Sequence, residues 1–172
     1  MYKLFGTLNI PGDKSVSHRA LILSSMSIGK SEITNLLEAD DIKATIQILK
    51  LLGITIHKKL GKWIVYGNGT NGFLQPKKDL NALNSGTTAR TMIGAVSSNP
   101  INCRFVGDKS LSKRSMSRVT EYLEKLGAGF KLTKNDYLPL KTFGTSKLVP
   151  DEIIIKKPSA QIKTALIFAG LN

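Results

Sequence analysis

Pro11-Gly12-Asp13-Lys14-Ser15-Val16-Ser17-His18-Arg19 joins a short strand expected over residues 3–10 to a helix expected over 15–27. Pro and Gly break the strand, Asp and Ser are residues that start helices, and the apolar run Ala20-Leu21-Ile22-Leu23 carries the helix onward. A helix start leaves backbone N–H groups unpaired and holds the positive end of the macrodipole. Lys14 flanks that end, and Arg19 stands one turn along the same face as Ser15. The stretch therefore offers an anion site.

The pattern recurs. Asn84-Ser85-Gly86-Thr87-Thr88-Ala89-Arg90 and Ser159-Ala160-Gln161-Ile162-Lys163 again place small polar residues before a helix with a cation in its first turns. Arg19 to Arg90 is a step of 71 residues, and Arg90 to Lys163 a step of 73. Leu49-Lys50-Leu51-Leu52-Gly53-Ile54 likewise matches Leu123-Glu124-Lys125-Leu126-Gly127-Ala128, with 74 residues between the glycines. Such spacing predicts repeated units.

Each unit reads as a helix (15–27, 86–97), a strand (32–36, 101–106), a second helix (41–52, 115–126) stopped by glycine, and two more strands (54–58 and 63–66; 130–133 and 138–142). Asp40 and Asp41 are expected to cap the second helix. A third unit begins with a strand at 152–155 and a helix after Ser159, and the chain reads as the front part of a longer protein.

The 172 residues, 41% of them hydrophobic, suffice for one or two globular units. No apolar run approaches the roughly 20 residues of a membrane span, and Met1-Tyr2-Lys3-Leu4-Phe5-Gly6 lacks the long apolar segment expected of a secretion signal. Cys103 stands alone, which excludes a disulfide framework or cysteine metal site within the chain. A reducing cytoplasm is the expected setting. The net charge of +13 favours acidic partners.

Some motifs carry no chemistry. Gly29-Lys30-Ser31 lacks the glycine a phosphate-binding P-loop needs at position 24, where Ser24 stands. Gly67-Asn68-Gly69-Thr70-Asn71-Gly72 matches G-x-G-x-x-G but leads into Phe73-Leu74-Gln75-Pro76, so a loop is expected rather than a helix. His18 and His57 lack a second metal ligand at useful spacing. Trp63 reads as sheet packing.

These residues give the chain a resemblance to the 5-enolpyruvylshikimate-3-phosphate synthase (3-phosphoshikimate 1-carboxyvinyltransferase) family. It extends from Gly6 to Leu171 and rests on the three stretches around Arg19, Arg90 and Gln161 together with Gly107-Asp108-Lys109-Ser110-Leu111-Ser112-Lys113-Arg114. The resemblance implies an α/β fold of repeated βαβαββ units, the inside-out α/β barrel of enolpyruvyl transferases, cut short in the third unit. It assigns residues 1–10 to a strand of a second domain, completed by an absent C-terminal half. Residues 11–172 would be most of one globe, in units of about 11–80, 81–150 and from 151 onward.

The implied activity is transfer of the enolpyruvyl group of phosphoenolpyruvate to the 5-hydroxyl of shikimate 3-phosphate, releasing phosphate, in the shikimate pathway of aromatic amino-acid biosynthesis. By resemblance it needs no cofactor or metal, binds no nucleic acid or membrane, and is a monomer when complete. Lys14, Ser15 and Arg19 would hold shikimate 3-phosphate, with Lys14 also near phosphoenolpyruvate. Ser159, Ala160 and Gln161 would line the shikimate phosphate. Gly86, beside Asn84, would let phosphoenolpyruvate approach the backbone and leave room for the inhibitor glyphosate, and Arg114 would pair with the phosphoenolpyruvate side. No catalytic residue falls in this chain, because the family's acidic proton-transfer groups belong to the other half, so the chain alone is expected to be inactive. Ser115 stands where the family usually has Pro, which is expected to loosen the following helix start.

Two rival readings are the sister transferases that use UDP-N-acetylglucosamine and a non-catalytic module binding anions or nucleic acid. The first usually carries Lys-Asn and a loop cysteine where this chain has Lys14-Ser15 and a cysteine-free loop. Against the second, the lysines are scattered and no aromatic-basic surface pattern accompanies them.

Overall fold

The computed structural model describes residues 5–133 and 136–172. Five helices and seven strands follow one another as α1 (Lys14–Met26), β1 (Ile28–Ile33), α2 (Asp40–Leu51), β2 (Thr55–Lys59), β3 (Lys62–Asn68), β4 (Leu80–Asn81), α3 (Gly86–Ser97), β5 (Asn102–Val106), α4 (Ser117–Lys125), β6 (Gly129–Thr133), β7 (Tyr137–Phe143) and α5 (Ala160–Ala169). A 3-10 turn, Leu111–Lys113, lies between β5 and α4.

The first sheet has the order β1-β3-β2 and is antiparallel throughout, with Lys30 opposite Tyr66 and Ile56 opposite Val65. The second has the order β4-β5-β7-β6, with β4 parallel to β5 and the other pairs antiparallel. Helices α1 and α2 cover the first sheet, and α3 and α4 the second. Alternation explains which face is covered: Ile56 and Val65 point into the core, while His57 and Tyr66 stack on the opposite face, 6.1 Å apart.

Helix α3 is buried almost all round, as its sequence GTTARTMIGAVS, poor in charge, requires of a central helix. It packs on α1, α2, α4 and α5. Its closest neighbour is α5, because Gly94 has no side chain to hold the two backbones apart. A Cβ there would lie 2.6 Å from the Ala165 carbonyl carbon and nearer still to its oxygen. A second close approach is at Gly67, where β3 runs under the last carbonyls of α1 at Ser24 and Ser27. That glycine opens the G-x-G-x-x-G string, which does turn out to be a strand end and loop. Cys103 on β5 is 3% exposed, and burial pushes its thiol up to about 12.

Five expectations need correction. Residues 5–10 form no strand, and 151–158 form none either. Among the described residues neither segment has a neighbouring strand to pair with, and an isolated extended segment gains no ladder. Residues 1–4 of the first expected strand lie outside the described residues. The strand expected at 32–36 lies earlier, at Ile28–Ile33. Asp40 and Asp41 occupy the first turn of α2 rather than its cap position, which Ala39 fills without a side-chain hydrogen bond; their charge still suits that end of the dipole. Helix α4 begins at Ser117, after an uncapped Met116, two residues later than expected.

Candidate anion-binding cleft

Among the described residues, three helices are capped at the N-terminus by a side-chain oxygen, and they are the three singled out by sequence. Asp13 accepts from Val16 N–H at 2.7 Å, Ser85 from Thr88 N–H at 3.1 Å, and Ser159 from Ile162 N–H at 3.4 Å. The caps are 72 and 74 residues apart. Around the first cap, the Ser17 hydroxyl donates to the Asp13 carbonyl at 2.7 Å and accepts from Leu37 N–H at 3.0 Å, which anchors the turn to the loop after β1. Gly12 is required there, since a Cβ would collide with the Asn35 carbonyl.

The starts of α1, α3 and α5 meet at a cavity of about 20 Å³ lined by Ser15, His18, Arg19, Thr87, Thr91, Ala160, Gln161 and Thr164. The geometry has a simple rule. Ser15, Thr87 and Gln161 are each the second residue of their helix, and His18, Arg90 and Thr164 each the fifth. All but Arg90 line the cavity, and Arg90 reaches its wall by donating to Gln161 Oε1 at 2.9 Å. Gln161 in turn donates to Thr87 Oγ1 at 2.9 Å.

Beside this cavity stands a group of arginines. Arg90 also donates to the Ser115 carbonyl at 3.0 Å, and Arg114 donates to Asn84 Oδ1 at 3.0 Å. Burial first, then the charges of Arg118 and Arg114, hold the Arg90 pKa below its ordinary value. A Cβ on Gly86 would lie 2.7 Å from Arg90 Nη1 and 3.5 Å from Arg114 Nη1, so glycine keeps the backbone open between the two guanidinium groups. Planar, positively charged forks next to exposed helix N–H groups suit phosphate or carboxylate oxygens.

Beneath lies a buried chain of hydroxyls. His18 Nδ1 is 2.8 Å from Thr45 Oγ1, Thr45 Oγ1 is 2.9 Å from Thr88 Oγ1, and Thr88 Oγ1 is 2.8 Å from Ser85 Oγ. It ties α1, α2 and α3 together under the cleft. Burial lowers the His18 pKa to about 4, with Asp41 opposing and Lys14 and Arg19 adding to the fall.

Ser15, Arg19, Ala160 and Gln161 therefore share one cavity, and Asn84, Gly86 and Arg114 form an adjoining group linked to it through Arg90. Ser159 stands behind them as the cap of α5. Lys14 is paired with Asp41, half exposed, so an anion reaching it competes with that carboxylate. Lys163, the third cation of the sequence pattern, faces elsewhere, into a groove with Leu126, Pro150, Ile153 and Leu166. It is the fourth residue of its helix, whereas Arg90 is the fifth and Arg19 the sixth, and each position turns a side chain by about 100°. Thr87, Thr91, Thr164 and the ring of His18 are functional candidates that sequence reasoning did not select. Their signal was the i, i+3, i+4 face of Ser15, His18 and Arg19 and its counterparts. Among the described residues no group of His, Cys, Asp and Glu is placed to hold a metal, and no helix is long and apolar enough to cross a membrane.

Comparison with known proteins identifies the family of the chain. The family model for EPSP synthase (3-phosphoshikimate 1-carboxyvinyltransferase) matches residues 1–172. A 3-phosphoshikimate 1-carboxyvinyltransferase of Novosphingobium aromaticivorans is 43% identical over 170 residues, 98% of this chain and 38% of the relative. That of Zymomonas mobilis is 42% identical over the same shares. The solved EPSP synthase of Acinetobacter baumannii superposes with a TM-score of 0.92 at 34% identity, covering 96% of this chain and 38% of that one. The chain thus spans about 38% of the length of the relatives it matches. It has a mixed α/β fold and belongs to the EPSP synthase family.

Proposed function

We propose that this chain carries the substrate-phosphate side of a 3-phosphoshikimate 1-carboxyvinyltransferase. In the complete protein it transfers the enolpyruvyl group of phosphoenolpyruvate to the 5-hydroxyl of shikimate 3-phosphate and releases phosphate, a step of the shikimate pathway in the cytoplasm. The observation that carries this is the meeting of three capped helix starts at one cavity beside Arg90 and Arg114, in a chain of this family.

On this reading Lys14, Ser15, Arg19, Ser159, Ala160 and Gln161 hold shikimate 3-phosphate. Lys14, Asn84, Gly86 and Arg114 face phosphoenolpyruvate, and the open space at Gly86 admits glyphosate. Neutral hydroxyls and backbone N–H groups bind phosphate without the repulsion of more cations, and the arginines supply charge. Protonation of the enolpyruvyl carbon requires an acid within hydrogen-bond reach. The reading places that acid in sequence that the relatives carry beyond the matched 38%.

The finer architecture belongs to the same proposal. Units of about 11–80 and 81–150 repeat, a third starts at 151, and residues 1–10 join a second domain of a protein that is monomeric when complete. The order β4, α3, β5, α4, β6, β7 supports a βαβαββ unit, and the exposed Phe5, Leu8 and Ile10 support a partner surface for the N-terminal segment.

Calorimetry of the 172-residue chain with shikimate 3-phosphate, beside a phosphate-release assay with both substrates, tests this. Binding without turnover is expected. Absence of binding at millimolar ligand, or turnover at an ordinary enzymatic rate, would refute it.

A further inference from the structure

Among the described residues, one buried side-chain atom beside the cleft has no hydrogen-bond partner, and it bears on the ligand. His18 is fully buried, its Nδ1 rests on Thr45, and its Nε2 has no partner among the described residues. A buried polar atom left unpaired costs stability and calls for an explanation. The ring borders the cavity between the first turns of α1, α3 and α5, whose volume of about 20 Å³ has room for one oxygen atom.

We propose that His18 contacts the bound anion directly, its Nε2–H donating to one oxygen of a phosphate seated across the starts of α1, α3 and α5. The proposal rests on the anion-cleft reading above and adds a ligand-contacting residue to it. A whole phosphate is too large for the cavity, so one oxygen enters while the others face Ser15, Arg19 and the open side.

Three features support this assignment. His18 is the fifth residue of α1, the position from which Arg90 reaches the cleft on α3 and Thr164 on α5. The Thr88 hydroxyl can donate to the Asp41 carbonyl at 3.1 Å, which frees the Thr45 hydroxyl to donate to Nδ1; a neutral ring then carries its hydrogen on Nε2, the atom without a partner. The ring is also neutral at working pH, since burial lowers its pKa. The charged groups around it are Lys14 and Arg19 on α1, Asp41 on α2 and Arg90 on α3, the last through Gln161; α5 contributes Gln161 and Thr164, which do not titrate. A neutral donor can therefore sit among cations without adding repulsion, and no proton need change hands on binding.

The chain's two histidines make the test internal. In the nitrogen-15 spectrum of the labelled chain, titration with inorganic phosphate should move the His18 Nε2 signal saturably and leave that of His57 in place. His18→Asn retains a group able to reach Thr45 and removes Nε2, and should weaken phosphate binding about tenfold. His18→Gln, whose longer amide reaches toward the Nε2 position, should recover most of it. If phosphate binds and Arg19→Gln weakens it while the His18 signal stays still, the cleft stands and the role of His18 is refuted. If phosphate does not bind and Arg19→Gln changes nothing, the cleft reading fails with it. The titration of the unmutated chain decides the question even if His18→Asn does not fold.

Discussion

Replacing Gly94 by Ala sets two known effects against each other, and the contact between α3 and α5 decides the sign. In the interior of a helix, Ala is favoured over Gly by about 1 kcal/mol, so a Gly94→Ala chain would be more stable if α3 stood alone. The new methyl, however, would lie 2.6 Å from the Ala165 carbonyl carbon and Cα. Carbon atoms in contact prefer about 3.5–4 Å, so α5 must retreat by roughly 1 Å. The obstacle is backbone, with no flexible side chain to yield. Overpacking of this kind costs about 1–3 kcal/mol, at the upper end when backbone must move. The helix that moves carries buried Ile162, Ala165, Phe168 and Ala169.

We expect Gly94→Ala to lose about 2 kcal/mol net, a fall in Tm of roughly 4–8 °C for a chain of this size. Urea unfolding, with thermal melting beside it, measures both. Because α5 also presents Gln161 to Arg90 and Thr87, phosphate affinity should fall in the same variant. A Gly94→Ala chain as stable as the parent, or more so, would refute the close helix crossing.

At Gly86 the obstacle is of the opposite kind: the nearest atom to a new Cβ is the tip of Arg90, which can swing aside. Gly86→Ala should leave Tm within about 1 °C yet weaken phosphoenolpyruvate binding several-fold by calorimetry, and a large loss of stability would contradict this. Thr45→Val removes the hydroxyl shared by His18 and Thr88, leaving buried polar atoms unpaired, and should cost about 1–3 kcal/mol in denaturant titration; a neutral result would mean the hydroxyl chain contributes nothing. For pH, the folded His18 ring titrates near 4 against 6.5 in the unfolded chain. The unfolded state binds more protons between those values, so stability is full above 6.5 and is lost as pH falls toward 4, by about 3 kcal/mol in all. Stability curves of the parent and of His18→Asn should diverge across that window, and parallel curves would count against the buried neutral ring.

The sequence reading was strongest where local chemistry decides structure. Asp13, Ser85 and Ser159 are caps because their side chains bond backbone within three residues, and Gly53 and Gly127 end helices at φ of 88° and 96°. It was weaker where a partner decides. Residues 5–10 and 151–158 have apolar patterns fit for strands but no strand beside them, and β4, two residues long, exists through its pairing with β5. At the site, spacing aligned Arg19, Arg90 and Lys163 by charge, whereas the helices are aligned by their caps. A shift of one and two residues was enough to send Lys163 to another face. His18 and Thr45, 27 residues apart, meet only through the packing of α1 on α2, which no local pattern announces.

The single thiol has a practical consequence. Cys103 lies on the second sheet with its side chain buried, its thiolate withheld by burial, and thiolate is the form that alkylating reagents attack. Maleimide therefore reacts only with molecules in which β5 has opened, and adds one label per chain. The labelling rate at neutral pH is an intrinsic gauge of how often that half of the protein breathes, readable by mass without any engineered probe.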